Sequence, residues 1–250
     1  MASETAQERS ATAGIVLIGD ELLSGKVRDE NADFLIGQLR ELGVGLRGIA
    51  VIPDVVDEIA DTVRAFAGRY DSVFTSGGVG PTHDDLTMEG VSRAFGTRVA
   101  RDPRLEALIR AHYGADLEER NLRMADVPDG ATLIASDALM WPVTTYRNVY
   151  ILPGVPEIFR RKFLAIRERF RSAPYHLTQI YTLDEEGRIA GHLDHIVAAY
   201  PAAAVGSYPR ITTEGWRVKI TIESKDRRIV ESAVAELVAR LGVSSVVKVE

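Results

Sequence analysis

The chain predicts a layered α/β fold with a mostly parallel sheet, followed by a small ferredoxin-like α+β domain. Three observations carry this expectation. Short apolar runs bounded by glycine or proline, such as Gly14-Ile15-Val16-Leu17-Ile18-Gly19, alternate with stretches of helical periodicity. A glycine-rich turn, Gly77-Gly78-Val79-Gly80, joins one apolar run directly to a helix. Beyond Pro174 the pattern changes to strand, helix, strand, strand, helix, strand, the order of a ferredoxin-like domain.

At 250 residues and 46% hydrophobic content the chain can form one large domain or two smaller ones. Residues 1–13 are small and polar, lack the basic start and apolar core of a signal peptide, and read as a disordered tail. The run from Gly14 to Gly19 reads as a strand buried on both faces. Residues 20–26 read as a polar loop. Residues 31–42 read as a helix, with Phe34, Leu35, Leu39 and Leu42 on one face and Gly43 as its C-terminal cap. A second strand, 46–52, stops at Pro53-Asp54, and Asp57 is expected to cap a helix carrying Ile59, Val63 and Phe66. A third strand, 72–75, feeds the glycine turn, and Met88, Val91 and Phe95 mark the helix beyond it. Asp102-Pro103 opens another helix, with proline at its favoured first position. Residues 120–147 show no clean period. Residues 148–152 return to strand, and a long helix follows with the stripe Phe159, Phe163, Ile166 and Phe170. The interleaved Arg160-Arg161-Lys162, Arg167, Arg169 and Arg171 read as its solvated face. In the small domain, strands are expected at 177–183, 203–207, 216–223 and 243–249, with helices at 189–200 and 229–241. The expected domains are 14–173 and 174–250.

Composition excludes several classes. No apolar run approaches the ~20 residues needed to cross a bilayer, so no membrane partner is expected. The absence of cysteine rules out disulfides, thiolate metal sites and cysteine nucleophiles, and fits a reducing cytoplasm. A net charge of −6 argues against a nucleic-acid binder, but leaves room for a local anion site built from backbone amides. No Ser-His-Asp order or nucleophile elbow is present, so covalent catalysis is not expected.

The strongest candidate site is the run Ser76-Gly77-Gly78-Val79-Gly80-Pro81-Thr82-His83-Asp84-Asp85-Leu86-Thr87. A strand-turn-helix of this kind leaves backbone N–H groups at the positive end of a helix, where a phosphate can sit. Side chains at Gly77, Gly78 and Gly80 would block that approach. The run has neither the Lys-Ser/Thr of a P-loop nor the dinucleotide spacing. Asp84 and Asp85 instead stand where a phosphate should go. Carboxylates and phosphate repel unless a cation lies between them, which points to a divalent metal such as Mg²⁺ with an anionic ligand. In a parallel sheet ligands gather beyond the carboxyl ends of the strands, and the polar turns after Ile18, Phe74 and Leu152 all lie there. The acids Asp20, Glu21, Asp54, Asp84 and Asp85 fall in such turns. Of these, Asp20, Glu21, Asp84 and Asp85 form the expected metal set, and Asp84 or Asp85 is expected to orient or deprotonate a water attacking phosphorus. His83 could serve as a base or phosphate donor, or be simply solvated. His192 and His195 have a spacing compatible with one metal, but no third ligand is evident. Gly206-Ser207-Tyr208-Pro209 ends a strand and could be just a turn, and its Tyr208 could stack on a base or a flavin ring.

In order along the chain, Gly19-Asp20-Glu21-Leu22-Leu23-Ser24-Gly25 with Asn31, the 77–87 loop and Leu152-Pro153-Gly154-Val155-Pro156-Glu157 resemble the molybdopterin-binding (MoaB/Mog-like) family. They are more closely similar to the amino-terminal domain of competence/damage-inducible protein A. Residues 147–157 and 206–209 resemble the molybdopterin-binding-like domain of eukaryotic FAD synthases, and the likeness spans about 14–241. The resemblance implies a three-layer α/β/α domain with a pterin or nucleotide-phosphate site. In that site Ser24, Asn31, Pro153, Gly154 and Glu157 would join the residues Ser76, Gly77, Gly78, Gly80, Pro81, Thr82 and Thr87. In the molybdenum-cofactor branch, the acid before Leu-Thr aids adenylylation or metal insertion; here it is Asp85, with Thr87 two residues on. Related domains of the other branches hydrolyse dinucleotide pyrophosphates such as ADP-ribose or FAD with a divalent metal. Competence proteins usually carry a Gly-Thr-Ala-Pro-Gly-like loop where this chain has Ser136-Asp137-Ala138-Leu139-Met140-Trp141-Pro142. No segment resembles a nicotinamide-nucleotide deamidase or an FAD-synthesising domain, so neither activity is expected. The leading expectation is metal-dependent hydrolysis of a nucleotide pyrophosphate by a homo-oligomer. Its rivals are a non-catalytic molybdopterin-binding protein and an inactive regulatory domain.

Overall fold

The computed structural model describes residues 11–211, 215–242 and 244–250. Most of the expected tail lies outside the described residues, as does residue 243 of the last expected strand. Thr12 and Ala13, assigned to the tail, are strand. The chain divides into two compact units, Met1–Ser172 and Ala173–Glu250. Among the described residues no helix is long and apolar enough to cross a membrane.

The first unit runs β1 (Thr12–Ile18), α1 (Asp20–Leu23), α2 (Asn31–Glu41), β2 (Gly45–Ile52), α3 (Val56–Arg69), β3 (Ser72–Ser76) and α4 (Thr87–Ala94). It continues through β4 (Val99–Arg101), α5 (Pro103–Tyr113), α6 (Glu119–Leu122), β5 (Asp126–Pro128), β6 (Thr132–Ile134), β7 (Val143–Tyr146), β8 (Val149–Leu152) and α7 (Pro156–Ile166). Six strands form one sheet in the order β2-β1-β3-β8-β7-β6. The first four are mutually parallel, β7 runs antiparallel to β8, and β6 runs antiparallel to β7. Alternation along β1 explains the layering. Ile15 and Leu17 join a core with Leu35 and Leu39 of α2 and Phe159 and Phe163 of α7. Val16 and Ile18 join a second core with Ile59 and Val63 of α3 and Val91 of α4. A strand with apolar side chains on both faces must be covered on both, so the unit is a three-layer α/β/α sandwich. The phenylalanine stripe of α7 is fully buried, each ring contributing on the order of 1.5–3 kcal/mol by area.

Local signals act where the chemistry requires. Gly43 has φ +73° and its N–H closes α2 onto the Arg40 carbonyl. The Asp102 carboxylate accepts from the N–H groups of Arg104 (2.8 Å) and Leu105 (3.3 Å), capping α5 ahead of Pro103. Two further expectations about the first unit need correction. Residues 20–23 form a one-turn helix, not a loop. Asp57 lies inside the first turn of α3, where it pairs with Arg93, and Val55 is the capping residue.

The second unit runs β9 (His176–Thr182), α8 (Glu186–Ala199), β10 (Ala204–Pro209), β11 (Val218–Ser224), α9 (Arg227–Leu241) and β12 (Val246–Val249). Its sheet, β10-β11-β9-β12, is antiparallel throughout, as in a ferredoxin-like domain. Ile180, Ile220 and Ile222 of the sheet pack on Ile189 and Ile196 of α8 and Leu237 of α9. Residues 206–209 are the end of the strand β10, which runs on through Pro209 with no turn there. There Tyr208 pairs with Lys219, whose ammonium lies 5.1 Å from the ring centre. His195 is engaged by Glu236 (2.6 Å) and Arg240 (2.6 Å), which accounts for it without a metal.

Candidate functional site

The parallel strands β1, β3 and β8 are neighbours whose C-terminal ends fall in register, Leu17 beside Ser76 and Ser76 beside Leu152. Their following turns therefore meet at one edge of the sheet. Gly77 donates its N–H to the Leu152 carbonyl (3.2 Å), and its Cα lies so close to the β1 end that a Cβ would stand 2.1 Å from the Ile18 carbonyl oxygen. Asn31 clasps the turns from below, its amide nitrogen donating to Ser76 Oγ (2.9 Å) and to the Gly154 carbonyl (2.8 Å). Thr87 completes the lock. Its hydroxyl donates to the Gly77 carbonyl (2.8 Å) and its N–H to the Gly78 carbonyl (3.0 Å).

These bonds reassign several residues. Asn31, Ser76 and Thr87 are buried, and the hydrogen bonds they make hold the loop together. They support the glycine loop from behind. The glycines likewise answer to the protein itself: a Cβ on Gly78 (φ +62°) would meet Thr87 Oγ1 at 2.4 Å, and one on Gly80 would meet the Asp85 carboxylate at 2.7 Å. Asp85 is the internal brace of the loop, accepting from the N–H groups of Gly80 (2.6 Å) and Thr82 (2.7 Å) and from the Thr82 hydroxyl (2.5 Å). An Asp85→Asn protein should accordingly have a looser loop. One carboxylate oxygen becomes an N–H₂ facing other donors, at a local cost of about 1–3 kcal/mol. Amide exchange at Gly80 and Thr82 should speed up while the second unit is unaffected; unchanged exchange would dismiss the bracing role.

What remains free is the backbone. Among the described residues the N–H groups of Gly78 and Val79 have no hydrogen-bond acceptor. Both residues form a wall shared by two cavities. One, of about 560 Å³, is mainly apolar, with Glu21, Val27, Ile109, Trp141, Pro153 and Lys162 among its lining. The other, of about 630 Å³, carries Arg93, Arg98 and Arg123. The two share Gly78, Val79, Gly80, Asp85, Met88 and Met124. Of the remaining expected ligand residues, Pro153 and Gly154 line the first cavity, whereas Ser24, Pro81, Thr82 and Glu157 line neither.

The acids gather on the exposed side. Asp54 accepts from the Asp20 N–H (2.9 Å). Partial burial raises its carboxyl above the ordinary 3.8, opposed by that bond and reinforced by the charges of Glu21, Asp20 and Asp84. Asp84 is held lower by hydrogen bonding within the turn and lies 3.9 Å from the ring of exposed His83. Asp54, outside the expected metal set, thus lies within electrostatic reach of Asp20, Glu21 and Asp84, whereas the Asp85 oxygens are engaged by the loop itself. Among the described residues no three such side chains are grouped into a ready-made metal cage. Lys162 was misplaced by the sequence, which put it on a solvated face. The available signal was Ile158, an apolar residue off the phenylalanine stripe and one turn before Lys162.

Residues 14–171 match the family model described as "Probable molybdopterin binding domain". The chain belongs to this family. Residues 174–250 match a second model, "FAD synthase, middle domain". A "Probable FAD synthase" of Caenorhabditis elegans is 33% identical over 90% of this chain and 49% of its own length. A "CinA-like protein" of Frankia casuarinae is 31% identical over 89% of this chain and 56% of its own. The chain thus spans about half the length of these two relatives. Among solved structures, "the protein CinA with unknown function from Thermoplasma acidophilum" superposes with a TM-score of 0.59 at 32% identity, over 64% of this chain and 98% of that one. The first unit has the MoaB/Mog-like α/β fold.

Proposed function

We propose that the first unit binds a dinucleotide astride the glycine loop and hydrolyses its pyrophosphate, with FAD as the favoured substrate. The observation that carries this reading is the pair of acceptor-free N–H groups at Gly78 and Val79, on a wall common to two cavities. Two donors suit phosphate oxygens, and a chamber on each side suits a molecule with a large group on either side of its phosphates. The names of the FAD synthase relatives support a flavin dinucleotide over other members of that class.

The donor chemistry fits a hard divalent cation. Asp20, Glu21, Asp54 and Asp84 offer only carboxylate oxygens, and the charges of the other three add to the burial that raises the Asp54 carboxyl. Because they form no closed cage, they would hold the ion together with phosphate oxygens, the usual manner of Mg²⁺. Once bound, such an ion would neutralise charge on the pyrophosphate. The Gly78 and Val79 amides orient the phosphates. Asp54, with its raised carboxyl, is the acid best matched to take a proton from the attacking water. The oxygen of that water adds to one phosphorus, the bridging oxygen leaves with the other, and FAD plus water become FMN plus AMP.

A second reading, molybdopterin binding without turnover, is supported by the family description alone. Incubation with FAD and ADP-ribose in the presence of Mg²⁺, Mn²⁺ or Co²⁺, with products separated by chromatography, tests both. FMN and AMP are the expected products. Tight molybdopterin binding with every dinucleotide left intact would replace the hydrolase reading.

A further inference from the structure

The apolar cavity contains a cation that phosphate binding at the glycine loop leaves unused. Lys162 donates its ammonium to the carbonyl oxygens of Pro142 (2.6 Å) and Trp141 (3.2 Å). No carboxylate of the described residues pairs with it. An ammonium has three N–H donors, so one is left for whatever fills the cavity. Leu105, Ile109, Met124 and Ile151 line the same cavity, and burial lowers the ammonium to about 8. A largely dehydrated cation against apolar walls favours an acceptor atom on a flat, otherwise apolar group. Its place along the cavity narrows the choice. A Cβ on Gly154 would stand 3.3 Å from the Gly77 Cα, so the start of α7 abuts the glycine loop. Lys162 lies about 9 Å farther along the helix from Pro156, at a rise of ~1.5 Å per residue. Gly78 and Val79 line the same cavity as Lys162, so a phosphate on those amides and a group on Lys162 can belong to one ligand.

We propose that Lys162 recognises a carbonyl oxygen on a planar nitrogen heterocycle, the edge that flavin and pterin rings carry and adenine lacks. The apolar chamber then takes the carbonyl-bearing half of the dinucleotide, and the arginine-lined cavity takes the adenylate half. This assignment rests on the reading that phosphate sits on the glycine loop, but it does not require turnover.

Equilibrium binding without any divalent cation tests it, with FMN followed by flavin fluorescence and ADP by calorimetry. In Lys162→Met, FMN affinity should fall about tenfold or more while ADP affinity is unchanged. Lys162→Arg keeps the charge and donors, and should keep most of the FMN affinity. Wild-type FMN binding should weaken as pH rises through about 8. Glu21 and Asp85 are the other titratable side chains lining the chamber, and a flat profile in Lys162→Met separates their contribution from that of Lys162. Equal losses for FMN and ADP would show that Lys162 holds phosphate, and overturn the assignment. So would unchanged FMN affinity in Lys162→Met, or no FMN binding by the wild type. A protein that hydrolyses FAD while its Lys162→Met variant binds FMN normally would refute the Lys162 assignment alone. A protein that binds FMN through Lys162 but hydrolyses nothing would refute hydrolysis alone.

Discussion

A Gly77→Ala protein is expected to lose about 3–5 kcal/mol of stability in its first unit. The added Cβ would stand 2.1 Å from the Ile18 carbonyl oxygen. Backbone meets backbone there, so no side-chain rotation can relieve the contact. The residue also has φ +107°, a conformation that costs an L-residue about 1–3 kcal/mol. Moving the loop away would break the bonds from Gly77 N–H to Leu152 and from Thr87 Oγ1 to Gly77, each worth about 0.5–1.5 kcal/mol. Against a total stability of about 5–15 kcal/mol the loss is large. Urea denaturation would measure it. Gly25→Ala is the control: φ is +71° but no atom lies within 4 Å of the added Cβ, so only the backbone term of about 1–2 kcal/mol applies. Equal losses for the two variants would mean that the close approach of Gly77 to β1 contributes nothing.

The same contrast explains what was legible in the sequence. β1 and α7 were legible because their apolar residues recur over enough positions to define a face. The three turns could be placed together because parallel strands put their ends on one edge. Residues 120–147 resisted because β5, β6 and β7 have only three or four residues each, too few for an alternation to emerge. Within the site, location was legible and role was not. Asn31, Ser76 and Thr87 are the polar residue types a ligand site would use, yet burial turns their hydrogen bonds inward. Asp84 and Asp85 are adjacent and chemically identical. Only the loop's curvature makes one a brace and leaves the other exposed. Lys162 was hidden in a basic run because periodicity cannot register that part of a polar helix face is roofed by the 141–142 segment.

Chelating divalent cations is expected to cut FAD hydrolysis roughly a thousandfold, equivalent to ~4 kcal/mol of barrier. The two free amides of the glycine loop are neutral donors and offset only part of the negative charge that a pyrophosphate brings beside four carboxylates. Those carboxylates already oppose one another. The Asp54 carboxyl is raised in the folded protein, so folding takes up protons and stability without a cation should fall as pH rises above the ordinary value of 3.8. A bound divalent ion should counter that fall. Adding Mg²⁺ at neutral pH should therefore raise the melting temperature of the wild type, and raise it less in Asp54→Asn. That substitution keeps an oxygen to accept the Asp20 N–H and removes a negative charge, so its cation-free form should melt no lower than the wild type. Asp85→Asn should behave differently, keeping the Mg²⁺ response while the loop loosens, because both oxygens of Asp85 already serve the backbone. Hydrolysis that continues at full rate in excess chelator would remove the cation from the chemistry. A Mg²⁺ response abolished by Asp85→Asn and untouched by Asp54→Asn would move the ion from the exposed acids into the loop.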